Sequence, residues 1–196
     1  LACAFLACRL LRFRKVIPVM NISSAHLVQW IYRMMLILQP AGVTPWAETY
    51  ETTAAVFAEE ATRLPLFPGS DGIIRTAALF TSVAWYEGHF DPQAKGDCKE
   101  KKNGKCVSPP QSVCMFQIGI SNLAGLHTTQ DELLSDVAKC THAARTMMQI
   151  SFGVCRGLPT DDLLGHYASG GNTCGGLRES RHRMKTALWL FDRRDK

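Results

Sequence analysis

The stretch SDGIIRTAALFTSVAWYEGHF, residues 70–90, decides the fold. Ile73, Ala77, Phe80 and Ala84 recur at steps of four and three, and Glu87 follows at the next step of three. That period is one face of an α-helix. Ser70 stands where an N-cap belongs and Gly88 where a left-handed C′ residue belongs, so the spacing predicts a helix running from Ser70 to Glu87. Glu87 therefore sits on the apolar face at the helix's C-terminal end, beside Trp85 and Tyr86. A carboxyl there loses solvation, and the carbonyl end of the helix adds negative potential. Both effects favour the neutral acid, so a raised pKa is expected. A carboxyl that is neutral near pH 7 is what a general acid requires. An ordinary surface glutamate in a frayed last turn would show the same spacing.

Outward from this helix, the chain reads as mainly α. Thr44-Pro45 is an N-cap followed by proline, opening a helix that stops near Leu64-Pro65. Residues 91–115 hold Pro92, Gly96, Asn103-Gly104 and Pro109-Pro110, the pattern of a loop or small hairpin region with Asn-Gly as its turn. Thr129-Gln130-Asp131-Glu132 is a capping box opening a long helix toward Cys155. A shorter helix starts at Thr160-Asp161-Asp162 and ends at Ser169-Gly170-Gly171. A last amphipathic helix runs from Arg178 to Phe191, with Arg178, Arg181, Arg183 and Lys185 expected on its outer face.

A length of 196 residues gives room for one domain with a sizeable core. The formal net charge of +5 is unevenly spread. The first 40 residues carry Arg9, Arg12, Arg14, Lys15 and Arg33 and no acid, whereas residues 41–196 balance 17 bases against 17 acids. Charge and composition both break at Gln39-Pro40-Ala41-Gly42. Residues 1–40 are therefore read as a basic, apolar leader, targeting or anchoring segment, and residues 41–196 as the folded domain. The competing readings of the first part are a surface helix, or translated sequence upstream of a start at Met20 or Met34. No run of 18 uncharged apolar residues occurs, which excludes a membrane-spanning helix of ordinary length. Nucleic-acid binding would call for a larger basic patch with interleaved aromatics, and none is present. The spacing of histidines and cysteines calls for no metal, and no motif calls for an organic cofactor.

Of the eight cysteines, Cys3 and Cys8 fall in the leader and six remain: Cys98, Cys106, Cys114, Cys140, Cys155 and Cys174. Six cysteines allow 15 pairings. Cys140 and Cys155 would lie roughly 22 Å apart along one helix, too far to bond. Cys98–Cys106 is the short local option, and Cys114–Cys140 with Cys155–Cys174 completes a set that ties each helix to a flanking loop. Such bonds imply an oxidising compartment and an exported protein. The other reading is reduced cysteines packed in the core.

Three short segments carry a family resemblance. Ala84-Trp85-Tyr86-Glu87-Gly88-His89-Phe90, Ser112-Val113-Cys114-Met115-Phe116-Gln117-Ile118 and His166-Tyr167-Ala168-Ser169-Gly170 occur in order over about 80 residues. They resemble the Glu-Ser-x-Phe, Ser/Ala-x-Gly-x-x-Gln-Ile and Tyr-Asn-x-Gly motifs of the lysozyme-like soluble lytic transglycosylases. The resemblance runs roughly from Pro45 to the C-terminus. It implies a lysozyme-like fold, mainly α with a small hairpin region, stapled by disulfides. It implies an exported enzyme, periplasmic or secreted, that cleaves the MurNAc–GlcNAc bond of peptidoglycan. Glu87 would be the sole acid/base, and the product would carry a 1,6-anhydro-muramic acid end. Ser112, Met115, Gln117, Tyr167 and Ser169 would line the glycan site. The implied partner is the glycan strand, with membrane contact only through residues 1–40, and the protein would act as a monomer.

Three positions depart from the family pattern. Gly88 stands for Ser or Thr, Cys114 for Gly, and Ala168 for Asn. They leave two alternatives open, a hydrolytic muramidase and a non-catalytic peptidoglycan-binding module of the same fold. Asp91 and Asp97 are the candidate second carboxylates for a hydrolase, although both sit among turn residues.

Overall fold

The computed structural model describes residues 24–96, 99–103, 105–171 and 173–194. Cys3, Cys8, Asp97, Cys98 and Asn172 lie outside the described residues, and with Cys98 so does the expected Cys98–Cys106 pair. Among the described residues seven α-helices build a core to which nearly every helix contributes: α1 (Ser24–Leu38), α2 (Tyr50–Arg63), α3 (Gly72–Gly88), α4 (Gln130–Ser135), α5 (Val137–Val154), α6 (Gly165–Ser169) and α7 (Leu177–Phe191). The expectation of a mainly α protein with a small hairpin region holds.

Helix α3 runs through the middle. From Thr76 to Ala84 every residue is buried. Its small residues let α2 and α7 approach, and its hydroxyls stay satisfied within that apolar setting. Thr76 and Thr81 donate to the carbonyls of Gly72 and Ala77, and Ser82 donates across to the Arg183 carbonyl on α7 at 2.7 Å. Phe57 of α2, Phe80 of α3 and Phe116 form an aromatic cluster with ring centroids 5.5–6.2 Å apart.

The ends of α3 differ from expectation. Asp71, not Ser70, occupies the N-cap. At the other end Gly88 is still helical, and the left-handed conformation falls on His89 (φ 51°) and Phe90 (φ 60°). The need for glycine at 88 comes from packing, since a Cβ there would lie 2.7 Å from the Cα and carbonyl oxygen of Met115. Phe90 bears its backbone strain with its ring fully buried, edge-on to Tyr50 at 5.4 Å.

Two small antiparallel sheets follow α3. One has strand order β1 (Lys95–Gly96), β4 (Ser112–Val113), β5 (Ile118–Gly119), with Gly96 opposite Ser112 and Ser112 opposite Gly119. The other is the hairpin β2 (Lys101–Lys102) with β3 (Lys105–Cys106), in which Asn103 takes φ 52°, as the Asn-Gly signal requires.

The helix expected to run from the capping box to Cys155 is two helices. The box is present, with Thr129 and Glu132 bonding reciprocally. The chain then breaks at Asp136, whose carboxylate accepts from the amides of Ala138 and Lys139 and starts α5 afresh. The Thr160 segment is likewise a 3₁₀ turn followed by α6. Thr44 caps a 3₁₀ turn, Pro45–Thr49, that leads into α2.

The leader boundary at residue 40 is not a boundary of the fold. Helix α1 contributes Leu27, Ile31, Met34 and Met35 to the core, with Ile31 and Met35 fully buried. Arg33 faces solvent between them. The charge that interrupts the apolar run is the outer side of an amphipathic core helix. Among the described residues no helix is long and apolar enough to cross a membrane.

Among the described residues two disulfides are formed, Cys114–Cys140 and Cys155–Cys174, both as expected. They indicate an oxidising compartment.

Candidate functional site

Glu87 lies in the last turn of α3 with 17% of its side chain exposed. The three motif segments meet around it. Gly88, the next residue, packs directly on the backbone at Met115 in the β4–β5 turn. The Tyr167 hydroxyl of α6 donates to the Phe116 carbonyl of that same turn at 2.5 Å. The Tyr167 amide donates to Ser151 Oγ of α5, which fixes α6 from the other side. Burial pushes the Tyr167 phenol well above its ordinary pKa. The nearby Glu87 charge adds to that rise, and Arg183 partly offsets it.

The β4–β5 turn owes its shape to two left-handed residues, Cys114 (φ 60°) and Gln117 (φ 51°). Glycine takes this conformation without strain, and a cysteine does not. Cys114 is held there by its bond to Cys140 at the start of α5. Ser112 Oγ donates to Gln117 Oε1 at 2.7 Å, and Gln117 Nε2 donates to the Cys114 carbonyl at 3.1 Å. The carboxamide of Gln117 lies over Gly96, where a Cβ would meet it. Gln117 thus keeps some exposure, while Ser112 is 1% exposed.

Three of the expected lining residues do not present their side chains to a ligand, Ser112 among them, since its hydroxyl is buried and donates to Gln117. Met115 is fully buried, because its backbone is pressed against Gly88 and its side chain turns into the core. Ser169 is exposed, but its hydroxyl donates to the carbonyls of His166 and Thr173 and accepts from the Gly171 amide, which shapes the loop after α6. Ala168 sits where Gly176 closes on it, and a Cβ at Gly176 would fall 2.7 Å from Ala168 Cβ. Asp91 Oδ1 accepts from the Gln93 amide two residues on, a turn contact, while burial raises its pKa.

The residue that sequence reasoning misplaced is Arg183. It was expected on the outer face of α7 and is 8% exposed. Its Nη2 lies 2.6 Å from Glu87 Oε1. That guanidinium stabilises the ionised carboxylate, opposing the effect expected of apolar neighbours and the helix end. The signal was present in the sequence. Ser180, Arg183, Ala187 and Leu190 follow at steps of three, four and three, and all four are buried.

A separate groove of about 520 Å³ lies between α2, α5 and the loop at 125–128, edged by Arg63, Lys139 and His142. None of the three motif segments lines it. Behind it, buried Glu60 binds both Arg63 and His142, and despite its burial these contacts hold its carboxyl below the ordinary range.

No family model matches the chain, and neither a curated protein nor a solved structure matches it.

Proposed function

We propose that this protein cleaves the glycan strands of peptidoglycan as a lytic transglycosylase, with Glu87 as its one acid/base. The observation that carries this reading is the meeting of three separate segments at a single half-buried carboxylate on the end of the central helix. A mainly α body with a small antiparallel sheet beside that carboxylate agrees with a lysozyme-like fold. The two disulfides agree with a periplasmic or secreted protein.

The chemistry needs one group in two protonation states. Glu87 as the acid gives its proton to the glycosidic oxygen while the bond from C1 of muramic acid breaks. The resulting carboxylate then takes the proton of the C6 hydroxyl on the same sugar. That oxygen closes on C1, leaving a 1,6-anhydro end and an acid ready for the next cycle. No water is consumed, so no second carboxylate is required, unlike in most glycosidases. Asp91, whose carboxylate is engaged by its own turn, fits this economy.

The Arg183–Glu87 contact favours a second reading, a peptidoglycan-binding module that has lost turnover, because an ion pair disfavours the protonated form that an acid needs. Digestion of purified sacculi with mass spectrometry of the released ends separates the possibilities. Anhydro ends support the transglycosylase and reducing ends a muramidase. Binding without release supports the module. Glu87→Gln is expected to lower release by a factor of about 10² to 10⁴. Near-wild-type release by that variant would remove Glu87 from the mechanism.

A further inference from the structure

The other buried ion pairs of the molecule show what a purely structural arginine looks like here. Arg181 meets Asp162 with two parallel bonds, Nε to Oδ1 at 2.7 Å and Nη2 to Oδ2 at 3.0 Å, and keeps half of its own side chain in solvent. Arg183, two residues on, is built differently. Its side chain is 10% exposed, it reaches Glu87 through Nη2 alone, and its Nε and Nη1 are buried with no acceptor among the described residues. Burying a guanidinium with two donors unused is costly, and replacing such a residue by an apolar one of similar volume would relieve the cost. The arrangement makes sense if the charge is kept for what it does to Glu87.

We propose that Arg183 is a positioning residue for Glu87: it holds the carboxylate in its base form against α7 in the free protein and thereby confines the acid step to acidic conditions. The inference rests on the lytic reading of Glu87 given above. Two further titratable groups among the described residues act on the pair. From α6 comes Tyr167, whose phenol stays neutral. From α7 itself, one turn before Arg183, comes Glu179, whose carboxyl is held below its ordinary range by its own backbone amide, then by Arg178, with a smaller contribution from Arg183. The β4–β5 turn beneath Gly88 contributes no ionisable side chain. Arg183 is thus a cation in direct contact with the acid. After the first proton transfer the same contact stabilises the carboxylate that must form, so Arg183 acts in the second half of the cycle as well.

The test is the pH dependence of anhydro-muropeptide release from sacculi, measured on the full protein. In the wild type, release is expected to fall as pH rises through the ionisation of Glu87. Arg183→Gln removes the charge and is expected to move that falling limb upward by about one pH unit or more, a roughly tenfold gain in the ratio of rates on its alkaline side. Arg183→Lys keeps the charge and is expected to leave the limb where the wild type has it. Superimposable wild-type and Arg183→Gln profiles would overturn the proposal while leaving Glu87 as the acid. A folded wild type that releases nothing at any pH would overturn the lytic reading and this proposal with it. Should Arg183→Gln not fold, ¹³C titration of the Glu87 side-chain carboxyl in the free wild-type protein decides. A midpoint below the ordinary carboxyl range supports the proposal, and one at or above it overturns it.

Discussion

At the scale of single residues, two positions where the motif resemblance fails have local structural reasons. Gly88 is required by the Met115 backbone, and Cys114 accepts a left-handed conformation because a disulfide holds it there. Gly88→Ala is therefore expected to destabilise the protein by about 2–3 kcal/mol, since a new Cβ would push backbone against backbone rather than against a flexible side chain. Urea denaturation would show this as a lower midpoint at unchanged slope. A shift under about 0.5 kcal/mol would mean that the α3 end and the β4–β5 turn part easily. The place of Glu87, largely buried in the last turn of α3, was legible from helical spacing. Its partner was not read, although Arg183 stands on the buried stripe of α7, because an arginine among arginines was assigned by charge rather than by period. A charged residue at a core position is the exception to hydrophobic patterning, and such exceptions gather at functional sites.

At the scale of elements, signals with a specific local chemistry were legible and those depending on long-range packing were not. The Thr129 capping box and the Asn-Gly hairpin formed where the residues specify them. The break at Asp136 was hidden, since its neighbours continue a helical pattern, whereas its extended backbone and its carboxylate's hold on two amides mark the start of a new helix. The two disulfides connect these elements across 26 and 19 residues. By loop entropy each contributes up to about 3.5 and 3.2 kcal/mol respectively. Paired Cys→Ser variants are expected to lose similar stability but not similar function. Removing Cys114–Cys140 frees the left-handed turn that carries Gln117 and the Tyr167 acceptor, so release from sacculi should fall. Removing Cys155–Cys174 should leave activity per folded molecule nearly intact. Equal activity losses for the two pairs would show that the bond at Cys114 serves stability alone.

At the scale of the whole molecule, the charge break near residue 40 misled because composition and folding do not divide the chain at the same place. Four of the five early basic residues precede Ser24, and the fifth, Arg33, is on the solvent side of α1. What composition reads as one basic, apolar segment includes a helix that covers α2 and α3 with Leu27, Ile31, Met34 and Met35. Burying four such side chains contributes, as an upper estimate, about 6–12 kcal/mol. That is comparable with the whole stability of an ordinary domain, about 5–15 kcal/mol. A chain begun at residue 41 is accordingly expected to lose the cooperative thermal transition of the full chain. Within the full chain, Ile31→Ala should cost about 2–5 kcal/mol, because its site is fully enclosed and leaves a cavity. If the chain from residue 41 unfolded with the midpoint of the longer one, α1 would be an appendage rather than part of the core. Glu87 ties this result to function: α3, which carries it, packs against α1 and α2 as well as α7. Loss of α1 should therefore abolish release from sacculi even though no residue of α1 belongs to the three motif segments.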